Sequence, residues 1–189
     1  FQPVAVSAIP SPDGAAIRLV GVNDTDDDVA VEVETMSVAP SGIVTRLAIV
    51  KGVVSRDRSA ELSWLAASDI PAGEILFYRF AASNGMRGEG HLSLKPYKAL
   101  DLMPSGIKAD VAVEGAALIL SLSSDKLALF VVPECGEDGY FSNSAFALLP
   151  GEVKLVTFTA KDEQAAGRAA ASLIIRDLHS SYTIKHQDA

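Results

Sequence analysis

Apolar and polar residues alternate with a period of two through most of this chain, the pattern of half-buried β-strands. Eleven stretches carry it: 17–22, 29–36, 45–54, 60–65, 75–80, 88–94, 107–113, 116–122, 127–132, 153–158 and 171–178. Gly, Pro, Asn and Asp punctuate the gaps between them, which predicts tight turns. No apolar 3.6-residue repeat persists beyond about ten residues, so no long amphipathic helix is expected. The stretch 162–171, Asp-Glu-Gln-Ala-Ala-Gly-Arg-Ala-Ala-Ala, reads equally as a helical turn interrupted by Gly167 or as a long polar hairpin. The predicted class is all-β.

Eleven or twelve strands are too many for one small sandwich. A seven-strand immunoglobulin-like domain takes about 100 residues, so two tandem sandwiches fit better. The run from Lys95 to Gly106 holds two prolines and a Ser-Gly, which is linker chemistry, and it places the domains at 1–103 and 104–189. A faint internal echo supports a shared fold. Pro71-Ala72-Gly73-Glu74 and Leu149-Pro150-Gly151-Glu152 each precede a strand that ends in Phe, with Glu74 and Glu152 standing 78 residues apart. Pro150-Gly151 suits the two central positions of a type II turn, with Gly151 at φ > 0.

Composition narrows the functions. The net charge is −8 over 189 residues, with 9 basic and 13 acidic side chains in 1–103 and 7 and 11 in 104–189. No basic stripe exists to neutralise phosphates or anionic lipid, so neither nucleic acid nor membrane is expected as a partner. No apolar run approaches the ~20 residues of a spanning helix. The chain starts on Phe1 without a methionine or a signal-peptide pattern, and so reads as a fragment or processed product. A single cysteine, Cys135, excludes an internal disulfide. That leaves the compartment open, with the cytoplasm favoured over a periplasmic or secreted location.

Candidate chemistry is sparse. Asp24, Asp26 and Asp28 alternate as in a calcium loop, but Val29 stands where such a loop needs Gly and Thr35 where it needs Glu. A solvated hairpin tip is the expectation, with no metal or other cofactor. Glu89 and His91 share a strand face, which can orient an imidazole, yet no third group is evident. Asp177, His179 and Ser180 hold the letters of a hydrolytic triad, but triads assemble through the fold rather than by adjacency, and these read as the end of the final strand. His186 falls in a polar tail. Trp64 reads as a core tryptophan, with sugar stacking as its alternative, and Tyr97 and Tyr182 read as exposed rings. Trp64 and Tyr97 are therefore the candidate sugar contacts. Cys135 lies among Glu and Asp, the reverse of what activates a thiolate, and reads as inert.

The most informative run is Asp138-Gly-Tyr-Phe-Ser-Asn-Ser-Ala-Phe-Ala-Leu-Leu-Pro-Gly-Glu152. Tyr140, Phe141, Phe146, Leu148 and Leu149 are its expected buried weight. The run resembles the Phe-Ser-Asp-Asn…Leu-Leu-Pro-Gly-Glu signature of the last immunoglobulin-like domain of β-mannosidases and related family 2 glycoside hydrolases. Ser142-Asn-Ser-Ala-Phe146 departs from it by one carboxylate and one ring. In the first half, Val22-Asn-Asp-Thr25 and Lys95-Pro-Tyr-Lys-Ala-Leu-Asp-Leu102 are similar to segments of the preceding domain of those enzymes. The resemblance implies non-catalytic accessory domains that brace the catalytic barrel of the same parent chain, shape its rim or contact a second copy of the parent. It implies a parent that removes terminal non-reducing β-D-mannose. The chain has no Asn-Glu pair of the kind that carries the acid/base in this family and no room for a barrel of about 250 residues, so no catalytic residue is assigned. A free-standing carbohydrate-binding or adhesion module, and the same domains of an exo-β-glucosaminidase or β-galactosidase, remain the alternatives.

Overall fold

The computed structural model describes residues 2–183. It divides into two compact units: residues up to Ala39 with Ile43–Asp101, and Pro40–Gly42 with Leu102 onward. Both are all-β, immunoglobulin-like sandwiches. In the first unit, β1 (Val4–Pro10), β2 (Ala16–Asn23) and β5 (Arg58–Ala66) form one antiparallel sheet, ordered β1-β2-β5. β3 (Val29–Val38), β4 (Val44–Val54), β6 (Ile75–Ala82) and β7 (Arg87–Ser93) form the other, ordered β4-β3-β6-β7. The inward rows are the apolar phase of each strand. Val4, Val6, Ile17, Leu19 and Leu65 meet Val31, Val33, Leu76, Tyr78 and Phe80 in one core. β1 escaped the periodicity reading because its seven residues contain only three large apolar side chains and end on a proline.

Two details fix the first sandwich. Asn23 is fully buried at the end of β2, and its Nδ2 donates to the carbonyls of Asp27 (2.8 Å) and Val54 (3.0 Å). Its Oδ1 accepts from Thr25 N at 3.0 Å, so one amide closes the β2–β3 turn and ties it to the end of β4. At the opposite edge, β7 carries Gly88 and Gly90 directly across from Phe80 and Tyr78. A Cβ at Gly88 would stand 2.5 Å from the Phe80 ring, and one at Gly90 2.5 Å from Tyr78 Cζ. Both rings occupy the space a side chain on β7 would take, which is why these positions are glycine.

In the second unit, β8 (Lys108–Glu114), β9 (Ala117–Ser123), β13 (Val153–Ala160) and β11 (Gly139–Phe141) form a sheet ordered β11-β13-β9-β8. β12 (Phe146–Leu148), β10 (Ala128–Glu134) and β14 (Ile174–Arg176) form its partner, ordered β12-β10-β14. β11 and β12 have three residues each, too short to show a period. Leu118, Leu120, Leu122, Val156 and Phe158 pack against Val131, Phe146 and Leu148. Phe141 joins them, its ring centroid 4.8 Å from that of Phe158. Tyr140 does not join them: it is 67% exposed, because it opposes Thr159 on the outer face while Phe141 opposes Phe158 on the inner one.

The stretch left open between helix and hairpin is a helix, α1 (Glu163–Ala171). Asp162 caps it, accepting from Ala165 N at 2.7 Å, and Glu163 suits the positive end of the helix dipole. Ala165, Ala166 and Ala169 are buried against the core, while Gly167 has open space around it. The predicted strand 171–178 shrinks to β14, since α1 ends at Ala171 and a short helix, α2 (Leu178–Thr183), begins at Leu178.

The two matching turns share local geometry. Glu152 N donates to Leu149 O (3.2 Å) with Gly151 at φ 75°, and Glu74 N donates to Pro71 O (3.0 Å) with Gly73 at φ 90°. They launch non-equivalent strands, however. β6 lies between β3 and β7, whereas β13 lies between β9 and β11. The echo is turn chemistry, not a duplicated position in the sandwich.

Candidate functional site

Trp64 is not a core residue. It is 49% exposed on the outer face of the β1-β2-β5 sheet, and Leu65 takes the inward place beside it. A register shift explains both. Leu19 pairs with Ser63 and Val20 with Glu61, so Leu62 is an extra residue, a β-bulge. Leu62 turns inward over Gly21 and Gly52, where a Cβ would meet its methyl carbons at 3.3 and 2.7 Å. Residues three apart on a regular strand face opposite ways, but the bulge returns Glu61 and Trp64 to one face, opposite Val20 and Arg18. Glu61 Oε1 there accepts a hydrogen bond from the indole Nε1, and the Arg18 guanidinium carbon stands 5.9 Å from the ring centroid. Ile9, 39% exposed, extends the same cross-strand row. The result is a half-exposed aromatic ring held by a carboxylate and flanked by a cation. Its sequence signal is the spacing Ala60, Leu62, Leu65: two leucines three apart cannot both face inward without an extra residue.

Tyr97, expected as an exposed ring, is half-buried. It sits in a 3-10 turn, Tyr97–Ala99, and packs edge-on against His91 with centroids 5.5 Å apart. Tyr97 Oη and His91 Nδ1 are 2.8 Å apart. Burial pushes the His91 imidazole below its ordinary value against the opposing charge of Glu89, and burial pushes the Tyr97 phenol up. The run read as a linker is thus fastened to β7, and Leu100 within it is buried. Glu89 lies directly opposite Arg79 on β6, which in turn lies opposite Glu34 on β3. Arg46 pairs with Glu34 at 2.5 Å and Lys51 with Glu32 at 2.7 Å. This outer face is a ladder of alternating charges.

The remaining candidates have structural duties. The Asp24–Asp28 tip is organised by Asn23, and Asp28 Oδ1 accepts from Arg56 N at 2.9 Å. Among the described residues no three His, Cys, Asp or Glu side chains could hold a metal ion. Asp177, His179 and Ser180 do not end a strand; they start α2. Asp177 is buried, its Oδ1 accepting from Ser180 N (2.8 Å) and its Oδ2 from Ser105 Oγ (2.6 Å), while Ser180 Oγ accepts from Asp177 N (2.9 Å). That is a reciprocal helix cap, and it commits the serine and the aspartate. Cys135 is half-buried against the second core, beside a loop clamped to α1 by the two-point pair of Glu137 with Arg168 (2.7 and 2.9 Å). Tyr182 is exposed, as expected, and His186 lies outside the described residues.

Residues 102–181 match the Ig_mannosidase family, an Ig-fold domain. Among curated protein sequences none matches this chain. Among solved structures, a β-D-mannosidase from Dictyoglomus thermophilum superposes over 94% of this chain with a TM-score of 0.78 at 18% identity. The exo-chitosanase of Amycolatopsis orientalis superposes over 93% with a TM-score of 0.62 at 15% identity. This chain spans only 22% and 25% of the length of those proteins. Residues 102–181 therefore resemble the Ig_mannosidase type of Ig-fold domain, and the chain over nearly its full length has the fold of a segment found in those two glycosidases.

Proposed function

We propose that this chain is a pair of non-catalytic accessory domains of a β-mannosidase-like family 2 glycoside hydrolase, whose barrel cleaves terminal non-reducing β-D-mannose. The observation that carries this reading is the Ig_mannosidase match over 102–181 joined to a superposition of 94% of this chain on 22% of a β-mannosidase. The chemistry of the side chains agrees. Retaining glycosidases need two carboxyl groups about 5–5.5 Å apart at one sugar, one of them kept protonated. Glu32 and Glu34 share a strand face here, but each is neutralised by its own cation in the charge ladder. Such a surface suits bracing a barrel or shaping its rim.

The purified chain should leave aryl β-mannosides intact. Turnover that disappears on changing Glu32 or Glu34 to Gln would overturn the accessory reading. A second parent, an exo-β-glucosaminidase, is favoured by the exo-chitosanase superposition. Assaying the full-length gene product on aryl β-mannosides and β-glucosaminides decides between them, because sugar selectivity belongs to the barrel.

A further inference from the structure

We propose that Trp64, Arg18 and Glu61 form a subsite for one pyranose ring of a β-linked glycan. The outer face of a sheet is ordinarily solvated, and a half-exposed indole there leaves apolar area in water that a ligand can cover. A pyranose offers a flat C–H face edged by hydroxyls. The indole matches the face, the Arg18 guanidinium supplies donors at its edge, and the Glu61 carboxylate supplies an acceptor. Glu61 already fixes the ring through Nε1, and the bulge at Leu62 fixes Glu61, so stacking demands little further ordering. The site has one ring rather than a platform, which sets the expected affinity in the millimolar range. Such weak contacts become useful when tethered beside a catalytic pocket, where the effective concentration is high.

The ring, guanidinium and carboxylate follow from this chain's geometry; the β-linkage, the neighbouring catalytic pocket and the choice of mannose and glucosamine probes rest on the function proposed above. Trp64 is the sole tryptophan, so the spectrum holds a single indole N–H resonance that reports on this site alone. The test titrates the full chain with mannobiose, the glucosamine disaccharide and cellobiose to about 50 mM, well past a millimolar Kd. The expected result is a saturable shift of the indole resonance with at least one of them. Glu61→Gln and Arg18→Gln should each weaken that binding at least about fivefold, and Trp64→Tyr, which keeps an aromatic face but lacks the indole reporter, should retain part of it when binding is read on the sugar's own resonances. No saturable shift with any of the three sugars overturns the subsite and leaves the accessory reading standing. An indole shift that depends on protein concentration without sugar also overturns it, marking the ring as a self-association contact. Binding of the glucosamine disaccharide alone upholds the subsite and leaves the parent's substrate to the assay of the full-length product.

Discussion

Asn23 is a fully buried polar residue of the first sandwich. Replacing it with Ala would remove the buried hydrogen bond to the Val54 carbonyl and the side-chain acceptor of the Thr25 amide, so Asn23→Ala should cost about 2 kcal/mol in urea unfolding. The Asn-Asp-Thr letters were legible as a turn; that the asparagine reaches β4 was not, because Val54 is 31 residues away. Gly151 was legible in full, since φ 75° is what a Pro-Gly turn requires. Nothing crowds its missing Cβ, so Gly151→Val should destabilise the second unit through backbone strain alone, by about 1 kcal/mol or more in thermal unfolding. His91 gives a pH signature. Its folded-state pKa lies below 6.5, so its contribution is fully present above pH 6.5 and is lost as pH falls through the lowered value, where the unfolded chain binds the proton more readily. His91→Gln should flatten that part of the stability–pH curve, and a curve unchanged by the substitution would contradict the burial described here.

At the scale of elements, period-two alternation located the long strands because each buries one face. It was silent on β11 and β12, and it misplaced Trp64 because a bulge reverses the phase partway along β5. α1 was ambiguous for a different reason: its buried face is three alanines, which carry helix propensity but little hydrophobic contrast. Gly167 sits on the open side of that helix, so Gly167→Ala should raise stability by about 0.5–1 kcal/mol, read as a higher thermal midpoint. The edge glycines of β7 predict the opposite sign. Gly90→Val would drive a side chain into the Tyr78 ring, and a loss of about 2 kcal/mol or more is expected from the displaced core aromatic.

Each unit has its own core, so the lesions above should separate across the whole molecule. Calorimetry of Asn23→Ala should lower the transition of the first unit, and calorimetry of Gly151→Val that of the second. The architecture was legible because spacing, turns and linker chemistry all pointed to two sandwiches, while the exposed Trp64 constellation depended on pairings that no local pattern reports. One contact also bears on how the chain is made. Ser105, near the start of the second unit, donates to the buried Asp177 carboxylate 72 residues later, and Ser124 Oγ donates to the Ser105 carbonyl. Synthesis at about 5–20 residues per second puts roughly 4–14 s between these partners. For that interval the nascent second unit lacks the group that fastens its first residues to the turn before α2, so this cap forms only once Asp177 has been made, and a stall before Asp177 would leave an unlatched sandwich for chaperones to hold.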